Sequence, residues 1–386
     1  MSVLSKAGAF TLLAVACLTI MVGCVIVPGL TKVAEHLGTP AAASWLVTVP
    51  SLGVVIFGPI AGRLIDRAGA YRALSLGLFM YGLLGSAGIF LYGLVPVMID
   101  RLLLGGATAI VMSAGTGLIS SFYNGPARLK MIASQGMSIE LGGVIFLFIG
   151  GLLATLGWQW PFLLYLFAWV LLAMQRAFVP EPGCSGTENM KEGAYGKESE
   201  SATRLMPVLF TAAFSMVCFF TGIIIIPQVF SSMGIGSAET GYFLSFISLV
   251  AVGAAALMPR VIARIREYNT LYAAFGCYAV GHLIFFFADN IPLYIVGGIS
   301  MGCGFGLSVP LVNHMTVEQS HTRVRGRNLA WLSMAIFSGQ FLSSFMEFIP
   351  GNSSVVFLGA AIIAVMVIIT LMLIHRTRRL KTPNKQ

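Results

Sequence analysis

Several ionisable side chains stand inside long apolar runs of this sequence. Asp100 and Arg101 lie in "VMIDRLLLGG", Glu140 in "SQGMSIELGGVIF", His282 in "AVGHLIFFF" and Glu347 in "SFMEFIP". If those runs lie in hydrocarbon, each charge costs at least ~3 kcal/mol on insertion scales, which makes each a candidate for function. Glu140 is the foremost proton carrier, because apolar burial disfavours the charged form of a carboxyl group; its other reading is a structural partner for an arginine. Arg101 is the cation available to such a carboxylate or to an anionic substrate. Asp100 is adjacent, hence on a different helix face, and reads as nearer the outer interface, and Glu347 as interfacial. His282 titrates, binds substrate or, on the favoured reading, is a satisfied structural histidine. Among uncharged groups, Pro227 and Gln228 in "IIIIPQVF" suggest a helix broken by proline, with backbone groups freed towards a cavity. Gln340 in "SGQFLSS" offers a hydrogen-bonding amide to the same cavity. Asn313 and His314 sit too near the cytoplasm to join it, and the glycines of residues 297–306 serve close helix packing. No Ser/His/Asp set, phosphate loop or metal-like cysteine spacing is present, so no enzyme activity, metal or cofactor is expected.

The elements that position these groups follow from hydropathy. The chain has 386 residues, 57% hydrophobic and 10% charged, with a mean hydropathy of +0.90. Soluble domains carry roughly 25% charged residues. Apolar stretches near 20 residues, long enough to cross ~30 Å of hydrocarbon as helices, recur throughout. Twelve spans are expected, at 8–30, 41–62, 73–94, 97–121, 131–155, 159–179, 205–230, 240–262, 270–288, 291–315, 327–349 and 353–375. The fold class is therefore an all-α integral membrane protein. At ~1.5 Å per residue Glu140 lies ~14 Å into the fifth span. Polar, Gly/Ser/Glu/Lys-rich sequence between the sixth and seventh spans reads as a flexible cytoplasmic linker, 181–204. It separates an N-terminal half, 1–180, from a C-terminal half, 205–386, with a basic tail.

With a cytoplasmic N-terminus, 21 of the 23 lysines and arginines fall on the cytoplasmic side, Lys32 lies outside and Arg101 lies within a span. That bias supports both the span count and cytoplasmic termini, and accounts for the net charge of +9 without nucleic acid. The halves also resemble each other. A shift of 197 residues lays "GRLIDRAGAYRAL" (62–74) over "PRVIARIREYNTL" (259–271), Arg128 over Arg325 and Gly142 over Gly339. Parallel six-span repeats point to a transporter with its site between the halves near the midplane.

The turn Gly62-Arg-Leu-Ile-Asp66-Arg67-Ala-Gly69-Ala-Tyr-Arg72, between spans two and three, resembles the loop motif Gly-x-Leu-x-Asp-Arg-x-Gly-Arg-Arg of the major facilitator superfamily. "RLLLGGATAI" from Arg101 is similar to the family's Arg-x-x-x-Gly-x-Gly pattern in span four, and "GGLLATLGWQWPFLL" resembles the turn from span five to six in its drug–proton antiporter branch. The resemblance implies a conformational latch at Gly62, Asp66, Arg67, Gly69 and Arg72, and a part in proton coupling for Arg101. Physically, the arginines hold the turn at the anionic cytoplasmic surface, the two glycines permit close approach or positive φ, and Asp66 can pair with an arginine or a helix N-terminus of a neighbouring span. The second-half copy has Ala263 in place of the aspartate. Two positions depart from the antiporter pattern: Phe146 and Leu147 replace its Gly-Pro pair, and Thr19 stands where span one often carries an acid. Coupling then rests more heavily on Glu140.

The function expected is secondary active transport by alternating access, as a proton-coupled exporter of a small amphipathic or anionic organic compound, a drug or a metabolite such as a siderophore. The alternative is a proton-coupled nutrient importer, and a third reading is a membrane receptor or assembly protein without flux. The expected partners are a small-molecule substrate, protons and membrane lipids, for a monomer in the bacterial inner membrane.

Overall fold

A computed structural model describes residues 4–123, 125–181, 198–320 and 325–381. Within these residues, backbone groups placed in hydrocarbon must be satisfied internally, and the apolar runs accordingly form helices. Twelve are long and apolar enough to span a membrane: α1 Lys6–His36, α2 Trp45–Ala68, α3 Ala70–Phe90, α4 Leu94–Phe122, α5 Lys130–Leu156, α6 Trp160–Phe178, α7 Leu205–Ser232, α8 Ser237–Ile265, α9 Glu267–Phe287, α10 Ile291–Glu318, α11 Gly326–Phe348 and α12 Ser353–Arg376. The number is that expected from hydropathy; several boundaries differ. Helix α1 runs past residue 30, with a single 3-10 turn at Val27–Gly29, where Pro28 lacks an amide hydrogen, before resuming at Leu30–His36. Pro227 does not break α7, which is helical without interruption to Ser232. Losing one amide donor removes a single hydrogen bond, and buried packing along Ile223–Ile226 carries the helix through. The helix containing α7 begins at Glu198, so the end of the expected 181–204 linker is helical; residues 182–197 lie outside the described residues.

Two compact units are present. The first comprises Met1–Met190 and Ile226–Ser248, the second Lys191–Ile225 and Leu249–Gln386. In each, glycines allow helix backbones to touch, the packing that membrane helices use in place of a hydrophobic driving force. In the first unit a Cβ on Gly53 of α2 would lie 2.9 Å from Gly105 Cα of α4, and would collide with the Leu102 carbonyl. A Cβ on Gly105 would in turn collide with the Pro50 carbonyl, and one on Gly150 of α5 with the Val25 carbonyl of α1. In the second unit Gly306 of α10 meets the Ala251 carbonyl of α8, and Gly339 of α11 the Ala213 carbonyl of α7, in the same way.

The 197-residue offset is also visible in local geometry. Tyr81 of α3 donates its hydroxyl to the Leu18 carbonyl at 2.7 Å, and at the offset positions Tyr278 of α9 meets Ser215 Oγ of α7 at 2.9 Å. Gly69, joining α2 to α3, has φ 81° and ψ 152°; Arg266, joining α8 to α9, has φ 69° and ψ 165°. Each unit thus turns its second hairpin through one left-handed residue. In the first that residue is glycine, to which the conformation is cheap; in the second it is an arginine, to which it is not.

Candidate functional site

The first unit buries a charge pair. Arg101 is 1% exposed and Asp100 6%, and Arg101 Nη2 lies 3.1 Å from Asp100 Oδ2. This corrects the sequence reading on one point: Asp100, rather than Glu140, is the ionic partner of Arg101. Consecutive residues leave a helix about 100° apart, yet the two side chains meet, and the guanidinium extends into a hollow against α3. Gly88 creates that hollow: a Cβ there would collide with Arg101 Nη2 and lie 2.7 Å from Phe162. The guanidinium packs over aromatic faces, its Cζ 5.2 Å from the Phe162 centroid and 5.6 Å from that of Tyr165. Such contacts stabilise a cation when it is desolvated. Arg101 Nη1 donates to the Tyr165 hydroxyl at 3.3 Å, and that hydroxyl donates to the Val22 carbonyl of α1 at 2.8 Å. Gly85, where a Cβ would strike the Tyr165 ring, makes room for the tyrosine. Arg101 Nε and Nη2 and Asp100 Oδ2 are buried without a well-formed hydrogen bond among the described residues.

Glu140 lies elsewhere in the same unit. It is half-buried on α5, and no ion pair or hydrogen bond to it occurs among the described residues. Helices α1 and α5 pack beside it: Cys17 Sγ donates to the Ser138 carbonyl at 3.0 Å, and a Cβ on Gly142 would sit 3.0 Å from Cys17 Cβ. Buried Cys24 of α1 is close enough to interact with Glu140, and also with Tyr81 and Tyr165. Thr19 is 8% exposed, and its hydroxyl is buried without a partner among the described residues. The carboxyl and this hydroxyl are thus polar groups held with unused hydrogen-bonding capacity, whereas the guanidinium is held by a neighbour. Phe146 and Leu147 are buried, and α5 continues through them without a break.

The remaining sequence candidates lie on other helices. Pro227 is buried and Gln228 half-buried on α7. In the second unit His282 is fully buried, with Nε2 2.8 Å from the Cys218 carbonyl. A carbonyl can only accept, so Nε2 carries the proton and His282 ties α9 to α7, while Nδ1 has no partner among the described residues. The ring packs between Phe285 and Phe357, at 6.2 and 6.0 Å. Ser215, Tyr278 and Ser308 close a ring of three hydroxyls, at 2.9, 2.6 and 3.1 Å, each able to donate to the next. Gln340 is buried at 6% exposure, Asn313 is exposed, and exposed His314 has Nε2 3.7 Å from Glu267 Oε1.

The turn motif is mostly helix. Helix α2 continues through Gly62, Asp66 and Arg67 to Ala68, and only Gly69 leaves helical geometry. Gly62 has nothing within 4 Å of where a Cβ would stand, so close approach does not account for it. Asp66 and Arg67 are exposed, and among the described residues no ion pair or hydrogen bond reaches Asp66. Arg72 Nε pairs at 3.2 Å with Glu181 Oε1, just after α6. A carboxylate in a last helical turn opposes the macrodipole by ~0.3–1 kcal/mol, so helix stability does not explain Asp66.

Twelve membrane-length helices, carrying a buried charge pair and a half-buried carboxyl without a partner among the described residues, make this a polytopic membrane protein, and ionisable groups within spans are candidates for function. The model of the Major Facilitator Superfamily matches residues 11–344, and the chain belongs to that family. It is 26% identical over 315 residues to the uncharacterized MFS-type transporter EfpA of Mycobacterium tuberculosis, covering 76% of this chain and 56% of that protein. It is 26% identical over 238 residues to multidrug resistance protein 2 of Bacillus subtilis, covering 59% and 58%. The aligned stretches thus span little more than half the length of these relatives. Among solved structures, a bacterial homologue of the human lysosomal transporter Spinster matches with a TM-score of 0.76 at 13% identity, over 98% of each chain. A D-xylose–proton symporter matches with a TM-score of 0.73 at 17% identity, over 95% and 97%. At such identities these matches speak for the fold alone.

Proposed function

We propose that this transporter is a proton-coupled exporter of small amphipathic or anionic organic compounds, operating by alternating access in the cytoplasmic membrane of a bacterium with both termini inside. The observation that carries the reading is Glu140: a carboxyl deep in a span, half-buried, with no cationic or hydrogen-bonding partner among the described residues. A group so placed exchanges a proton without first breaking an ion pair, which suits a carrier. The relative named multidrug resistance protein 2 supports export, and the scarcity of ionic groups in the spans supports an amphipathic cargo. Arg101 supplies the positive charge through which anionic cargo is accepted. The two six-helix halves, 1–180 and 205–386, are the moving bodies, with Gly62, Asp66, Arg67, Gly69 and Arg72 as the latch and Thr19, Pro227, Gln228, His282 and Gln340 as the candidate cavity groups. The test is flux in proteoliposomes, with a candidate substrate and with or without an imposed pH gradient. Export driven by inward proton flow supports the reading; accumulation in the direction of proton flow makes the protein an importer instead.

A further inference from the structure

The second unit serves as an internal control for the first. The 197-residue offset lays Gly88 on Phe285, Asp100 on Gly297 and Arg101 on Gly298. In the first unit a Cβ on Gly88 would collide with Arg101, and in the second a Cβ on Gly297 would collide with the Phe285 ring. Large and small residues have exchanged places across the same helix pair. The hollow that one unit fills with phenylalanine holds a guanidinium in the other. An apolar filling is available on this scaffold and in use, so packing alone does not require Asp100 and Arg101. Replacing a buried ion pair by well-packed apolar groups is often neutral or stabilising, which strengthens the point.

The pair is also poorly satisfied. A permanent buried salt bridge is stable when its remaining lone pairs and protons are hydrogen-bonded. Here the contact between Asp100 Oδ2 and Arg101 Nη2 is 3.1 Å, and Arg101 Nε has no hydrogen-bonding partner among the described residues. The titratable groups around Asp100 are Arg101 on its own helix and Tyr165 on α6, with Tyr81 of α3 and Cys24 of α1 beyond them; Glu140 of α5 reaches Cys24. Among these only Arg101 is a cation.

We propose that Asp100 is a second proton-exchanging carboxyl of the transport cycle, with Arg101 as the counter-ion that holds its charged form. This rests on the proton-coupled reading above and deepens it. The step balances simply: the Asp100 carboxylate takes one proton to become a carboxylic acid, Arg101 keeps all of its own, and the reverse step returns the proton. When Asp100 is neutral, Arg101 is held only by Tyr165 and the two aromatic faces, and its charge is free for an anionic group. Asp100 therefore sets when Arg101 is available.

Infrared difference spectra of the full-length protein in lipid, acid minus alkaline, read the proposal without a substrate, because each carboxyl that takes up a proton adds a carbonyl stretch. One such band should vanish in Asp100→Asn and persist in Glu140→Gln. Should Asp100→Asn fail to fold with Arg101 unpaired, Asp100→Asn/Arg101→Gln removes the charge and should lack the same band. A difference spectrum that keeps every band without Asp100 overturns the proposal, since a fixed salt bridge adds none. Flux is read beside it with fluorescein, an amphipathic anion, as the probe: Asp100→Asn should lose at least tenfold in gradient-driven export, and Asp100→Glu should recover most of it. Wild type without gradient-driven flux overturns the antiport reading and any coupling role for Asp100 with it. Gradient-driven flux in wild type with no band assignable to Asp100 overturns this inference alone.

Discussion

Glu140→Gln and Arg101→Gln should differ sharply in stability, because one charge is alone and the other is paired. Glu140 makes no ion pair or hydrogen bond among the described residues, so the amide replaces the carboxyl at nearly equal volume and strands no partner. Changes away from packing, charge-pair and network features fall within about 0.5 kcal/mol. Arg101→Gln leaves Asp100, 6% exposed, without its counter-ion and thins the contacts in the hollow beside Phe162. Removing one member of a buried pair costs about 3–5 kcal/mol. It also leaves the Tyr165 hydroxyl without its 3.3 Å donor, although that hydroxyl keeps its bond to Val22. Equilibrium unfolding of both variants and wild type in one detergent reads the difference directly. The expected order is wild type close to Glu140→Gln and both well above Arg101→Gln. Equal destabilisation of the two variants would refute the reasoning, since it would mean that Glu140 has a partner whose charge it satisfies.

Arg266→Gly should raise stability by about 1–3 kcal/mol, because φ 69° with ψ 165° strains any residue with a Cβ; unchanged unfolding would show that the strain is absent. Gly69→Ala, at φ 81°, should lower stability by a similar amount in the same assay. Gly105→Val should abolish folding or cost at least about 1–3 kcal/mol, since even a Cβ collides with the Pro50 carbonyl of α2; a normal melting curve would show that α2 and α4 do not approach so closely. Asp66→Asn should cut flux severely with expression and unfolding unchanged, because an exposed carboxylate that opposes its own helix dipole has no stabilising role to lose. Full flux in that variant would show the aspartate to be dispensable.

The fold was readable because its determinants are local. A run of apolar residues either spans a membrane or does not, and the arginines of 63–72 and 260–266 mark hairpin ends at one offset. Helix ends were less readable, because α2 continues through charged Arg63 and Asp66 once it has left the apolar run. Pro227 showed the same limit: a missing donor predicts a break, but the neighbouring isoleucines hold the helix. The candidate site was readable only in part. Glu140 and Arg101 stand out as charges in apolar sequence, yet their pairing does not, because it depends on which neighbour leaves a hollow. The signal for that was present in the glycines. Gly85 and Gly88 oppose His282 and Phe285 at the offset, as Gly297 and Gly298 oppose Asp100 and Arg101, and reading the repeat for exchanged volumes would have placed the guanidinium beside α3.

The central claim is that protons drive this transporter through Glu140. Proteoliposomes carrying either wild type or Glu140→Gln, with the amphipathic anion fluorescein as the cargo and an imposed pH gradient, test it in one preparation. Uphill movement of the dye against proton flow in wild type, with binding but no uphill movement in Glu140→Gln, is the result the account predicts. Uphill movement at the wild-type rate in Glu140→Gln would contradict it.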